Sequence, residues 1–189
     1  MRRRNQAGFT LIEVVVVVAV IAILAAVLTP YITKYIDDSK IAKARNEAQV
    51  IGGALTNFYK DVGIWPNLNP ATGAATTVLY TGTAIPTSYA NFVAGAGAGA
   101  GWNGAAGALD NNLLVNGNSG TVYPTTGDLK WKGPYISVAL PLDPWGRPYL
   151  VNVAAAGSIW VLSAGPDLRI NTPAAATVVT GDDIGFRVR

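Results

Sequence analysis

The sequence predicts an α+β protein. A long N-terminal α-helix packs on a small C-terminal antiparallel β-sheet head, and the head carries a long irregular insert. Three observations lead there. Residues 9–28 form an apolar run interrupted only by Thr10 and Glu13. Residues 44–62 repeat apolar side chains at helical spacing. Residues 149–162 hold two β-rich runs separated by a small-residue turn.

Phe9 to Leu28 counts 20 residues. At about 1.5 Å of rise per residue this makes about 30 Å of helix, the thickness of a bilayer's hydrocarbon core. Only Thr10 and Glu13 are clearly polar within it. Val14 to Val18 are all valine, a poor helix sequence in water. Lipid enforces the helix, because every backbone amide must be satisfied internally. Arg2, Arg3 and Arg4 precede the run and hold that end in the cytoplasm by the positive-inside tendency. Glu13 is the anomaly. An acid inside a span costs about 2.5–3.5 kcal/mol on insertion scales, so it implies a partner. A secretory signal would place a small-x-small cleavage site after the run. Leu28-Thr29-Pro30-Tyr31 is a poor one, and the small residue, Gly8, stands before the run. Cleavage between Gly8 and Phe9 would remove the arginines and keep the helix.

The helix continues over 30–62 with a changed character. Ala44, Ala48, Ile51, Leu55, Phe58 and Val62 are spaced 4, 3, 4, 3 and 4 residues apart, which is one helical face. Lys40, Lys43, Arg45, Glu47 and Lys60 lie mostly off it. Pro30 permits a kink or a melted turn between the two halves. Gly63 and Pro66 stop the helix. Residues 67–128 are rich in Gly, Ala, Thr and Asn, with strict Ala/Gly alternation from Ala94 to Gly101. They read as an irregular insert, with small-residue strands and a short helix near Leu109–Val115 as alternatives. Prolines and glycines fix turns around Trp131–Ile136 and Leu140–Tyr149. Tyr149–Val153 and Ser158–Leu162 then read as an antiparallel hairpin across Ala154–Gly157.

The chain has 189 residues and a formal charge of +3. Arg2 to Arg4 supply three of its 14 basic residues, and no acid lies in residues 1–8. Cleavage after Gly8 would therefore leave 11 basic and 11 acidic side chains. No nucleic-acid partner is expected from such a balance. There is no cysteine and no histidine, which excludes disulfides, Cys/His zinc sites and histidine acid–base chemistry. No nucleotide-binding P-loop is present, and nothing places Asp143 and Asp167 as a catalytic pair. The chain reads as no enzyme.

Gly8-Phe9-Thr10-Leu11-Ile12-Glu13, with its basic leader and apolar helix, resembles the prepilin signal of type IV pilins and type II secretion pseudopilins. Pro30, 22 residues past Gly8, sits where many of these proteins carry a helix-perturbing proline. The resemblance implies cleavage after Gly8 by a prepilin peptidase and N-methylation of Phe9. It implies that Glu13 pairs with the Phe9 amine of a neighbouring subunit in a homo-oligomeric helical filament. Opposite charges that meet in a low-dielectric bundle strengthen each other, whereas either alone is penalised. Trp65-Pro66 after the helix resembles the pseudopilin pattern. Gly133-Pro134-Tyr135 with Asp143-Pro144-Trp145-Gly146-Arg147-Pro148-Tyr149 closely resembles the major pseudopilin of type II secretion. Trp145 and Tyr149 themselves read as packing residues.

Ser163-Ala164-Gly165-Pro166-Asp167 is followed by Gly181-Asp182-Asp183-Ile184. Taken alone, the spacing favours exposed turn formers. A hard cation such as Ca²⁺ takes six to eight oxygens, and a loop of this composition supplies them. The pattern also resembles the calcium loop of major pseudopilins. On that resemblance Asp167, Asp182 and Asp183 are candidate ligands, with Ser163 and the Ala164 carbonyl behind them. The interior, Leu168 to Thr180, departs from the family in being more apolar, and Arg169 adds a positive charge.

The resulting organisation is a leader at 1–8, a membrane or filament-core helix at 9–29, an amphipathic helix at 30–62 and a head at 63–189. Within the head lie the insert at about 67–128, the hairpin at about 149–163 and the calcium-type loop at about 163–184. The expected function is a structural filament subunit, most simply the major pseudopilin of a secretion system. The alternative is the major subunit of a surface pilus for adhesion, motility or DNA uptake. Retained Glu13 argues for a major rather than a minor subunit. The expected partners are the peptidase/methyltransferase, an inner-membrane assembly platform, a separate assembly ATPase and minor pseudopilins. The expected location is the bacterial inner membrane, head in the periplasm, before assembly into a periplasmic or extracellular filament.

Overall fold

A computed structural model of the chain describes residues 8–67, 76–82, 102, 106–117, 122–153 and 158–189. The Met1–Ala7 part of the leader, most of the insert and Ala154–Gly157 lie outside the described residues. Helix α1 runs from Leu11 to Val62, 52 residues. The chain divides into two compact units, Met1–Ser39 and Lys40–Arg189.

In the first unit every described residue is exposed. Its helical segment is long and apolar enough to cross a membrane. The helix passes Pro30 without a melted turn. Proline removes the N–H that would bond the carbonyl four residues back. Threonine hydroxyls on either side add local bonds: Thr29 donates to the Ala25 carbonyl at 2.7 Å, and Thr33 donates to the Pro30 carbonyl at 3.0 Å.

In the second unit α1 buries Ala44, Ala48, Ile51, Leu55, Phe58 and Val62, the face read from spacing, together with Gly52 and Ala54. Gly63 ends it with φ +80°, and its N–H donates to the Tyr59 carbonyl at 2.8 Å. Only a residue without Cβ reaches that left-handed conformation at little cost.

Five short strands form one sheet in the order β2-β1-β3-β4-β5. They are β1 (Val78–Tyr80), β2 (Ala106–Ala108), β3 (Leu150–Asn152), β4 (Trp160–Ser163) and β5 (Ile184–Arg187). A one-turn helix α2 (Asp110–Leu113) follows β2. The β3–β4 hairpin pairs Leu150 with Leu162 and Val151 with Val161. β1 joins β3 antiparallel, as β5 joins β4. The sheet is not wholly antiparallel, because β1 and β2 run parallel. A parallel neighbour needs a crossover, and residues 81–105 provide the length.

Strand alternation gives the sheet two apolar faces. Leu79, Val151 and Val161 join the α1 face in one cluster with Tyr149 and Ile159. Val78, Tyr80, Leu150, Trp160 and Leu162 belong to a second cluster with Trp102, Ala164, Ile170 and Ala174. Gly52 lets β5 come close, because a Cβ there would run into the Phe186 ring. Phe58 is met edge-on by Tyr123 and Tyr135, with ring centroids 4.9 and 5.4 Å away. Tyr123 is positioned by its hydroxyl, which donates to Asn112 Oδ1 at 2.6 Å.

Phe58 is fully buried and Val50 is 66% exposed on the same helix. Phe58→Ala should cost about 3–5 kcal/mol and Val50→Ala less than about 0.5 kcal/mol. Urea unfolding of the detergent-solubilised chain reads both, and equal losses would contradict this packing.

Candidate functional site

The sequence-predicted residues fall in two places, one in each unit. The first is the start of α1. Gly8 and Phe9 precede the helix and are exposed, Phe9 to 87%. Thr10 and Glu13 close a reciprocal cap. The Thr10 amide and hydroxyl both donate to Glu13 Oε2 at 2.8 Å, and the Glu13 amide faces Thr10 Oγ1 at 3.4 Å. A threonine followed three residues later by a glutamate is a capping box, and it satisfies donors that the first turn leaves without partners. The carboxylate also stands at the positive end of the helix dipole. Both donors fall on Oε2, and among the described residues no hydrogen bond reaches Oε1.

The second place is the 163–184 loop, between β4 and β5. It holds the acids in different roles. Asp182 Oδ2 accepts from the Asp167 amide at 2.8 Å. Asp167 Oδ2 and Asp182 Oδ1 both accept from the Asn171 side-chain amide, at 2.8 and 3.3 Å. These two carboxylates therefore converge on one donor. Asp183 turns inward and is 8% exposed. Its Oδ2 accepts from the amides of Asn171 at 2.9 Å and Thr172 at 2.6 Å, while buried Oδ1 has no hydrogen-bond partner among the described residues. Burial pushes its carboxyl up to about 6, against the hydrogen bonds from Thr172 and Asn171. Among the described residues no group of three or more His, Cys, Asp or Glu side chains is placed to hold a metal ion.

Ser163 is engaged elsewhere. Its buried hydroxyl donates to Asp143 Oδ2 at 2.6 Å, and its oxygen accepts from the Gly165 amide at 3.2 Å. Ala164 is buried in the second cluster. Asp143 in turn organises the Asp-Pro-Trp-Gly-Arg turn. Its Oδ1 accepts from the amides of Trp145 at 3.0 Å and Arg147 at 2.7 Å. Burial raises the Asp143 carboxyl above its ordinary value, while the Ser163 hydroxyl pulls the other way. Tyr149 is fully buried, and its hydroxyl donates to Glu47 Oε2 at 2.6 Å. Lys132 is paired with Asp61 at 2.9 Å.

Backbone geometry draws the loop's two limbs together. Gly165 has φ +65°, and a Cβ there would collide with the Asp182 carbonyl oxygen. Leu168 is held at φ +64°, the left-handed region that side chains rarely adopt. Sequence reasoning missed Asn171 and Asp143. Asn171 had only its Asp-x-x-x-Asn spacing from Asp167, which is too common to select.

Comparison with known proteins gives two family matches, one at each end of the chain. Residues 3–29 match the family model described as the prokaryotic N-terminal methylation motif. Residues 115–181 match the model of type II secretion system protein G. With the long helix and small sheet, these matches make the chain similar to type IV pilin-like proteins. Its head portion is similar to protein G. The chain is 27% identical over 149 residues to the type II secretion system core protein G of Pseudomonas aeruginosa, covering 79% of this chain and 75% of that one. It is 39% identical over 78 residues to fimbrial protein EcpC of Eikenella corrodens, covering 41% and 51%. It is 42% identical over 66 residues to the type IV major pilin protein PilE1 of Neisseria gonorrhoeae, covering 35% and 31%. The matched region is thus about half the length of the Eikenella protein and about a third of the gonococcal one. No solved structure matches.

Asp143→Ala should cost about 2–4 kcal/mol, because it strips partners from a buried hydroxyl and two turn amides. Gly165→Ala should cost a similar amount from the clash and the positive φ. Both are read as lower urea midpoints at unchanged slope, and a loss under about 0.5 kcal/mol for either would contradict the loop geometry.

Proposed function

We propose that this chain is the major structural subunit of a type II secretion pseudopilus, a helical filament that drives protein export. The single observation that carries the reading is the similarity to protein G over 79% of the chain, next to an N-terminal methylation motif. Processing falls between Gly8 and Phe9 and leaves a methylated Phe9 amine. That amine meets Glu13 of a neighbouring copy. The cap geometry supports the pairing: Thr10 holds Glu13 through Oε2, and Oε1 is left to an outside cation. Before assembly the subunit sits in the inner membrane with its N-terminus cytoplasmic and its head periplasmic. A prepilin peptidase, an assembly platform, a separate ATPase and minor pseudopilins act on it. Head-to-tail contacts that do not close build the filament.

A surface pilus is the second reading. It is favoured by the higher identity, 39% and 42%, to the fimbrial and pilin relatives, although these matches cover only 78 and 66 residues. The protein G match reaches into the head, so we place it first.

Calcium belongs to the same reading. Asp167 and Asp182 already converge on the Asn171 side chain, where a hard cation between two carboxylates would stand. Turning the Asn171 amide end for end would present its oxygen instead of its nitrogen. The two carboxylates and the Asn171 side chain would be the ion's ligands. Ser163 does not join them, because Asp143 holds its hydroxyl. The ion would replace hydrogen bonds by stronger electrostatic links across the loop.

N-terminal analysis of protein recovered from membranes should find N-methylated Phe9, and a retained Met1 refutes the processing. Glu13→Ala should abolish filaments while the subunit still accumulates in the membrane. Filaments at normal yield would overturn the pairing. Calcium at about 100 times its dissociation constant should add about 2.7 kcal/mol to the detergent-solubilised chain. That corresponds to a rise in melting temperature of about 5–10 °C, reversed by EGTA, and an unchanged melting curve removes the ion from the account.

A further inference from the structure

Trp102 stands apart from everything used so far. It is the one described residue between Gly82 and Ala106, and its indole is fully buried. Its ring lies in the second core cluster, beside Ile170 and Ala174 of the 163–184 loop. Its Nε1–H donates to the Thr172 carbonyl at 2.8 Å. The Thr172 amide, at the other end of the same residue, donates to Asp183 Oδ2 at 2.6 Å. Thr172 is further fixed by its hydroxyl, which accepts from the Thr180 amide at 2.9 Å. Among the described residues, the seat of Trp102 is made by the loop and by the sheet face beneath it.

We infer that Trp102 is a latch on the 163–184 loop, so that closing the loop and seating the tryptophan are one event. The inference rests on the reading of that loop as a divalent-cation site. A cation binding across Asp167 and Asp182 orders the loop through Asn171. Asn171 is the neighbour of Thr172, and both amides share Asp183. Thr172 then presents its carbonyl to the indole. Loosening the loop removes both the acceptor and the apolar wall of Ile170 and Ala174. Coupling of this kind is reciprocal: whatever the ion contributes to seating Trp102, a seated Trp102 contributes to ion affinity.

The test uses the detergent-solubilised full chain. Subtracting the acrylamide quenching of Trp102→Phe from that of the parent isolates Trp102 among the five tryptophans. Trp102 should be shielded in calcium chloride and about fivefold more quenchable in EGTA, and Trp102→Phe should bind calcium about fivefold more weakly. A tryptophan equally shielded in both solutions, in a protein whose melting temperature calcium does raise, overturns the latch and leaves the calcium site standing. Where calcium leaves the melting temperature unchanged, the cation reading fails, and the latch is decided by Asp183→Ala, or by Asp182→Ala should the first not fold. Exposure of Trp102 in that folded variant upholds the latch, and a Trp102 still shielded ends it.

Discussion

A sheet whose strands are three or four residues long cannot be held by its ladder hydrogen bonds. Two-stranded pieces of that length are marginal in water even when paired. What holds it is apolar cover on both faces. α1 covers one with the stripe from Ala48 to Val62. The other is covered by Trp102, Ile170 and Ala174, which are not regular secondary structure. At about 25 cal/mol per Å² of apolar surface removed from water, the two clusters outweigh anything the short ladders contribute. The functional loop is therefore not an appendage. Residues 164–174 are half of the sheet's roof, and their position follows from the sheet as much as from their own acids.

The start of α1 obeys a different constraint. There the chain needs a charge where charge is costly. The capping box gives Glu13 a local use before any partner arrives: it satisfies the Thr10 amide and fixes where the helix begins. An acid that already caps its own helix is held in one orientation rather than left as a free rotor. The same four residues, Thr10 to Glu13, thus serve the helix start and, on the proposed reading, the subunit contact.

What the sequence disclosed follows from which signals are local. The buried face of α1 could be read residue by residue, because a 3.6-residue period is printed along the chain. The hairpin was legible for the same reason, with two β-rich runs close in sequence. β2 was not. Ala106-Gly107-Ala108 has no strand propensity, and it is a strand because β1 lies beside it. The six residues Gly8 to Glu13 were legible as a motif, while their capping geometry needed the coordinates. In the 163–184 loop the acids were visible and their division of labour was not. Whether a carboxylate faces solvent or core depends on what covers the sheet, which is decided by residues 60 or more positions away, such as Trp102.

A chain without cysteine must hold its C-terminal limb by other means, and here the means are carboxylates. Asp143 ties the 143–147 turn to the end of β4, and Asp183 ties the loop's interior to the start of β5. These are not cheap crosslinks. Burial raises both carboxyls above their ordinary values, so desolvation outweighs the donors that each accepts from. The sign follows from linkage. Asp183 titrates near 6 in the folded state, above its unfolded value, so its own contribution is favourable at low pH and is lost as pH rises through about 6. Near neutrality the ionised group opposes folding, and the stability must come from the clusters on the two faces. The acids supply register instead: each accepts from two or more donors at fixed positions. A disulfide would fix two Cα atoms, whereas these carboxylates fix the direction of every amide they bind.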